Sequence, residues 1–151
     1  MQTRRKTLQH SAIVAGLLAA TGLFPGHALA FNAKAFDAKT IGDALKALGA
    51  AAPTESKDVT IIGPDIAENG AVVPLGASTS LAGVKQLLIL VEKNPSALVA
   101  AFNLTDSVDA NIAARAKMGQ SSDVYAVAIM NDGRTFLAKK EVKVTLGGCG
   151  G

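Results

Sequence analysis

The spacing of apolar and polar residues changes period once along this chain. In FDAKTIGDALKALG, Phe36, Ile41, Leu45 and Leu48 recur near helical spacing. Thr40 followed by Asp43 has the form of a capping box, with Asp in place of the usual Glu or Gln. Gly49 supplies a residue that can end the helix in the left-handed conformation. The stretch AAAPTESKD then reads as a linker, and beyond it the period becomes two.

DVTIIG predicts a short strand, and Pro64 and Pro74 bracket DIAENGAVV, in which Asn69-Gly70 marks a turn. VKQLLILVEK is apolar on both faces at its centre, as a buried strand requires, and this surplus hints at a partner surface. ALVAAFNL places Leu98, Ala100 and Phe102 on one face of a strand. NIAARAKM alternates, with Ile112, Ala114, Ala116 and Met118 opposite Ala113, Arg115 and Lys117. A helix is the rival reading there, because Ala, Arg and Lys favour helices. DVYAVAIM and TFLAKKEVKVTL flank Asn131-Asp132-Gly133-Arg134, a hairpin signal. The last of these strands directs Val142, Val144 and Leu146 inward and Lys143 and Thr145 outward. About seven short strands after one helix predict a mainly β, immunoglobulin-like antiparallel sandwich.

The first thirty residues stand apart from this pattern. Arg4, Arg5 and Lys6 precede an apolar run over about residues 12–24, and Ala28-Leu29-Ala30 is a small-x-small cleavage signature. That run is shorter than the roughly 20 apolar residues of a membrane crossing. The paired arginines of TRRKTL, with Leu8 at the apolar position, have the form of a twin-arginine export signal cleaved after Ala30. A general secretory signal with a basic start is the alternative. The expected organisation is therefore a signal over 1–30, a helix-plus-sandwich domain over 31–146, and an arm over 147–151.

Removing the signal changes the charge. The full chain has 15 basic and 12 acidic residues, for a net charge of +3. Arg4, Arg5 and Lys6 lie in the signal and no acid does, so the remainder is formally neutral. The basic balance thus gives no argument for nucleic acid, and no dense basic patch with interleaved aromatics is present. Both histidines, His10 and His27, also lie in the signal. The rest of the chain then has no Ser-His-Asp or Cys-His pair. It has no His/Cys zinc set and no CxxC, so no resident cofactor is expected.

What chemistry remains sits in LGGCGG. The chain's single cysteine, Cys149, is flanked by Gly147, Gly148, Gly150 and Gly151. Glycine-rich segments behave as flexible coil. Five extended residues reach at most about 17 Å, enough to enter a partner's channel that admits glycine and rejects branched side chains. The nearest cation in sequence is Lys143, so nothing local draws the thiol far below about 8.5. Such a thiol presents sulfur and leaves activation to partner enzymes. An exposed free cysteine in an oxidising compartment is a liability that invites a use. The competing readings are an incidental cysteine on a frayed tail, an intermolecular structural disulfide, and a thiocarboxylate carrier of the ubiquitin-like kind. The last needs an ATP-using activating enzyme that an exported protein lacks.

The GGCGG of residues 147–151, the segment PDIAENGAVVP of residues 64–74, the twin-arginine signal and the Val/Ala-rich body together resemble the SoxY family. SoxY proteins are the sulfur-carrier subunits of bacterial thiosulfate oxidation. The resemblance implies an immunoglobulin-like sandwich paired with a small SoxZ-like subunit and exported with it, folded, to the periplasm. It implies that Cys149 carries the sulfur intermediates and that the chain is not itself an enzyme. It also implies three partners: a c-type cytochrome that joins thiosulfate to the thiol, a manganese hydrolase that releases sulfate, and a molybdenum-haem dehydrogenase that oxidises the remaining sulfane sulfur. No membrane association is implied once the signal is removed.

Overall fold

A computed structural model describes residues 32–145. Arg4, Arg5 and Ala30 of the expected signal, and residues 146–151 with Leu146, Gly147, Gly148, Cys149, Gly150 and Gly151, lie outside the described residues.

The helical segment is divided in two. Helix α1 (Ala33–Phe36) and helix α2 (Ile41–Ala47) are separated by the stretch that ends at Thr40. The capping box is what restarts the helix. Thr40 has extended backbone, its Oγ1 accepts from the Asp43 N–H at 3.1 Å, and its hydroxyl donates to Asp43 Oδ2 at 2.7 Å. Phe36 therefore ends the first helix, ahead of the cap, and one expected helix becomes two. Gly49 closes the second at φ 70°, in the left-handed region.

Among the described residues nine strands follow: β1 (Thr54–Glu55), β2 (Val59–Ile62), β3 (Ile66–Ala67), β4 (Val73–Thr79), β5 (Val84–Val91), β6 (Leu98–Asn103), β7 (Asn111–Ala116), β8 (Ser122–Met130) and β9 (Thr135–Val144). Seven have four or more residues and pair antiparallel, as the alternation predicts. The segment 111–116 is a strand, so the helical alternative fails. Its Ala residues are held by pairing with β4, Leu75 opposite Ala114 and Ala77 opposite Ile112. The hairpin at 131–134 forms with Gly133 at φ 90° and the Met130 N–H bonded to the Arg134 carbonyl at 2.9 Å.

The two extra strands are two residues long and parallel. β1 and β3 both add to β9, at Phe136–Leu137 and at Lys143–Val144. The larger sheet runs β1-β9-β8-β5-β6, with β3 also on β9, and the smaller runs β2-β4-β7. The two short pairings cover parts of an edge of β9 that would otherwise present open backbone groups.

Two cores result. Between the sheets lie Val59, Val73, Leu75 and Ala77 from the small sheet against Leu87, Ile89, Val91, Val124, Ala126 and Val142 from the large one. On the other face of the large sheet, Ala35, Ala44 and Leu45 of the helices cover Leu88, Leu90, Leu98, Val127 and Ile129. The apolar surplus of β5 is thus taken up by the chain's own helices, which corrects the hint that it meets a partner. A second correction concerns β6. Ala100 and Phe102 pack with the inter-sheet core, but Leu98 lies on the helix face. The register slips there, with Ile89 opposite Ala100 and Leu90 opposite Leu98, so the additional residue Val99 reverses the alternation.

Candidate functional site

The predicted carrier residue Cys149 and its glycines lie outside the described residues; what the structure defines is the root from which they continue. β9 ends at Val144, at one pole of the sandwich. There it is clamped from two sides. The Lys143 N–H donates to the Asp65 carbonyl at 2.9 Å, and the Thr145 N–H to the Ala67 carbonyl at 3.1 Å. From the other side the Val144 N–H donates to Ser121 Oγ at 2.9 Å.

Gly70 completes the clamp. The Met118 N–H donates to the Gly70 carbonyl at 2.7 Å. A Cβ at position 70 would stand 2.3 Å from the Met118 carbonyl oxygen and 2.8 Å from Val144 Cγ1. Only glycine lets the 65–70 segment lie between the end of β9 and the residues after β7. The Asn69-Gly70 turn signal of the sequence is realised, with Asn69 Oδ1 accepting from the Ala71 N–H at 2.9 Å. Its second role, close approach to β9, is one that no local pattern exposes. PDIAENGAVVP is therefore the segment that flanks the root of the arm.

The electrostatics of the root are local. Lys140 Nζ reaches the Gly63 carbonyl at 2.7 Å and Asp65 Oδ1 at 2.8 Å, tying β9 to the start of this segment. The hydrogen bond from Lys140, then its charge, lowers the Asp65 carboxyl below its ordinary range. Among the described residues no group of three or more His, Cys, Asp or Glu is arranged to hold a metal. None of their helices is long and apolar enough to cross a membrane.

Two concavities border this pole. An open groove of about 830 Å³ runs along the outer face of the small sheet, lined by Ile62, Pro64, Pro74 and Ala113 with Arg115 at one end. A second hollow, of about 530 Å³, lies between the β5–β6 connection and the end of β7, and is lined among others by Asn94, Ser96, Arg115, Lys117 and Gly119. The alternation of NIAARAKM puts Arg115 and Lys117 on one face, opposite Ile112 and Met118, but carries no sign of a role for them. The loop that meets them is distant in sequence.

An immunoglobulin-like sandwich with a cysteine beyond its last strand is the class of protein that fold and sequence define. The profile of the sulfur oxidation protein SoxY matches residues 44–149, and the chain belongs to the SoxY family. Among solved structures it is similar to the sulfur carrier protein SoxY from Chlorobium limicola f thiosulfatophilum. That match has 33% identity and a TM-score of 0.63, and covers 70% of this chain and 96% of that one. A superoxide reductase (neelaredoxin) from Ignicoccus hospitalis shares the fold alone, with 16% identity and a TM-score of 0.51 over 58% of this chain and 79% of that one. No match is found among curated proteins.

Proposed function

We propose that this protein is a non-catalytic covalent carrier of sulfur intermediates in thiosulfate oxidation, with Cys149 as the attachment point. The observation that carries the reading is the extent of the family match. It does not stop at the sandwich but runs on to residue 149, which is the chain's single cysteine.

In the first step the Cys149 thiol and thiosulfate form an S–S bond. The thiol loses its proton and two electrons pass to a c-type cytochrome, leaving a thiol-bound S–SO₃⁻ group. A manganese hydrolase then adds water across the terminal S–S bond, releasing sulfate and leaving a persulfide. A molybdenum-haem dehydrogenase oxidises that sulfane sulfur to a thiol-bound sulfonate, three waters supplying the oxygens and six electrons passing to the enzyme, and hydrolysis of the remaining S–S bond releases sulfate and frees the thiol. Gly147, Gly148, Gly150 and Gly151 give the arm its slender profile for entering those partners. A SoxZ-like subunit is the expected heterodimer partner, and Arg4 and Arg5 mark a twin-arginine route to the periplasm with cleavage after Ala30.

The test is intact-mass analysis of the protein purified from thiosulfate-grown cells, with and without reductant. Reductant-sensitive additions of sulfane sulfur or thiosulfate on wild type, absent from Cys149→Ser with its fold and heterodimer intact, are expected. A tail found only as an intermolecular disulfide, never with a small sulfur adduct, refutes the reading. Gly148→Val and Gly150→Val should slow turnover by the partners while leaving the thiol reactive to small reagents.

A further inference from the structure

Asn69-Gly70 is the one Asn-Gly pair in the chain. An asparagine amide is open to attack by the backbone nitrogen of the next residue, and glycine, with no Cβ, hinders that approach least. The other asparagines are screened. Asn94 precedes Pro95, whose nitrogen carries no proton. Leu104, after Asn103, has its N–H committed to the Lys85 carbonyl at 2.9 Å. Asn111 precedes the β-branched Ile112 inside strand β7. Asn32 is held at the cap of α1, with Nδ2 donating to the Ala47 carbonyl at 2.7 Å. Asn131 is followed by Asp132, which is bulkier than glycine. The related pair Asp132-Gly133 is closed as well. Its carboxylate accepts from Arg134 Nε at 2.8 Å, and the Gly133 N–H donates to the Met130 carbonyl at 3.1 Å.

At Asn69 the fold leaves both reacting groups available. The side chain is exposed, and its Oδ1 accepts from the Ala71 N–H at 2.9 Å. That bond turns the amide back over its own main chain and draws electron density from Cγ. Among the described residues the Gly70 N–H donates no hydrogen bond. The Gly70 carbonyl, by contrast, is fixed by the Met118 N–H at 2.7 Å.

We propose that Asn69 is a self-modification site, whose isoaspartate product unseats the root of β9. The Gly70 nitrogen gives up its proton and bonds to Asn69 Cγ. The Cγ–Nδ2 bond breaks, ammonia leaves, and a five-membered imide remains. Water then opens either imide C–N bond. One opening gives aspartate. The other gives isoaspartate, in which the main chain runs through Cβ and Cγ and is one methylene longer. Position 70 has no room for that addition, since a Cβ there would already stand 2.3 Å from the Met118 carbonyl oxygen. Asp65 and Ala67, which accept from the Lys143 and Thr145 amides, lie on the same segment and move with it. Aspartate adds no methylene and still accepts from the Ala71 N–H, so it leaves the clamp closed. The chain thus carries a one-way timer where its arm begins, whatever Cys149 carries.

The experiment ages the folded, processed protein at physiological temperature and mildly alkaline pH. Peptide mapping with electron-transfer fragmentation, which separates isoaspartate from aspartate, follows every asparagine. Asn69 should react first, with isoaspartate the larger product. The deamidated fraction, isolated by anion exchange, should exchange its Lys143 and Thr145 amides about fivefold faster than the unaged protein, the equilibrium worth of one lost hydrogen bond. The amides of Leu88 and Val127, paired in the middle of the large sheet, should be unchanged. Asn69→Asp matches the charge without the methylene and should exchange as wild type. Asn69→Ser, whose hydroxyl keeps a bond of the same kind, should age without modification at this site.

An Asn69 that stays intact in folded protein, while a urea-unfolded sample reacts there, overturns the assignment. So does earlier reaction at any other asparagine. Unchanged exchange at Lys143 and Thr145 in the deamidated fraction overturns the unseating of the root. Equal acceleration in Asn69→Asp would assign the effect to charge and overturn the argument from backbone length.

Discussion

Gly70→Ala is the substitution that most directly tests how the arm root is built. The added Cβ would fall 2.3 Å from the Met118 carbonyl oxygen and 2.8 Å from Val144 Cγ1. The first neighbour is backbone, so it cannot rotate away as a side-chain end could. Either the 65–70 segment or the 118–121 segment must shift. Overpacking of this kind costs about 1–3 kcal/mol. Lengthening the 2.7 Å bond from the Met118 N–H to the Gly70 carbonyl adds roughly 1 kcal/mol. The smaller entropy of the unfolded alanine chain returns about 0.4–1 kcal/mol. The net loss is about 1–3.6 kcal/mol, which for a domain of this size lowers Tm by roughly 4–14 °C. Thermal unfolding of the processed protein measures the total. Hydrogen exchange at the Lys143 and Thr145 amides, which are bonded to Asp65 and Ala67, tells whether the loss is concentrated at the clamp. Gly119→Ala is the control. Position 119 is open, and its replacement should leave stability unchanged or slightly raised. A Gly70→Ala protein that melts within about 2 °C of wild type, with unchanged exchange at those amides, would refute the close-approach argument.

Leu90→Ala should lower stability in urea by about 2–5 kcal/mol, because Leu90 is fully buried beneath the helices. Ile62→Ala, at a side chain 48% exposed, should change it by no more than about 0.5 kcal/mol. Equal effects would mean that the second core is not a core. The hydrogen bond from Lys140, then its charge, lowers the Asp65 carboxyl below its ordinary value, so its contribution is present above the unfolded value and is lost as pH falls through the depressed folded value. Lys140→Met should return the Asp65 carboxyl signal toward its ordinary midpoint in a carbon-detected NMR titration; an unmoved midpoint would assign the shift to another cause.

The architecture was legible wherever alternation ran without interruption. The 131–134 hairpin, the Thr40 cap and the Gly49 stop rest on contacts within a few residues, and the faces of the seven longer strands rest on an alternation that is itself written in local order. Cys149 lies outside the described residues, and its proposed role rests on the glycines beside it in the sequence. Tertiary structure decided everything that joins distant segments. A bulge at Val99, not composition, turned Leu98 to the helix face. The doubly apolar period of β5 only hints at a partner surface, because it cannot say that two short helices much earlier in the chain return to cover it. β1 and β3 are two residues long, too short to carry a period, and exist only because β9 offers an edge. Gly70 looked like a turn residue, and became the spacer that seats the arm root only when Met118 and Val144 closed around it. Local sequence sets which way each side chain faces; the packing of remote segments sets what that side chain meets.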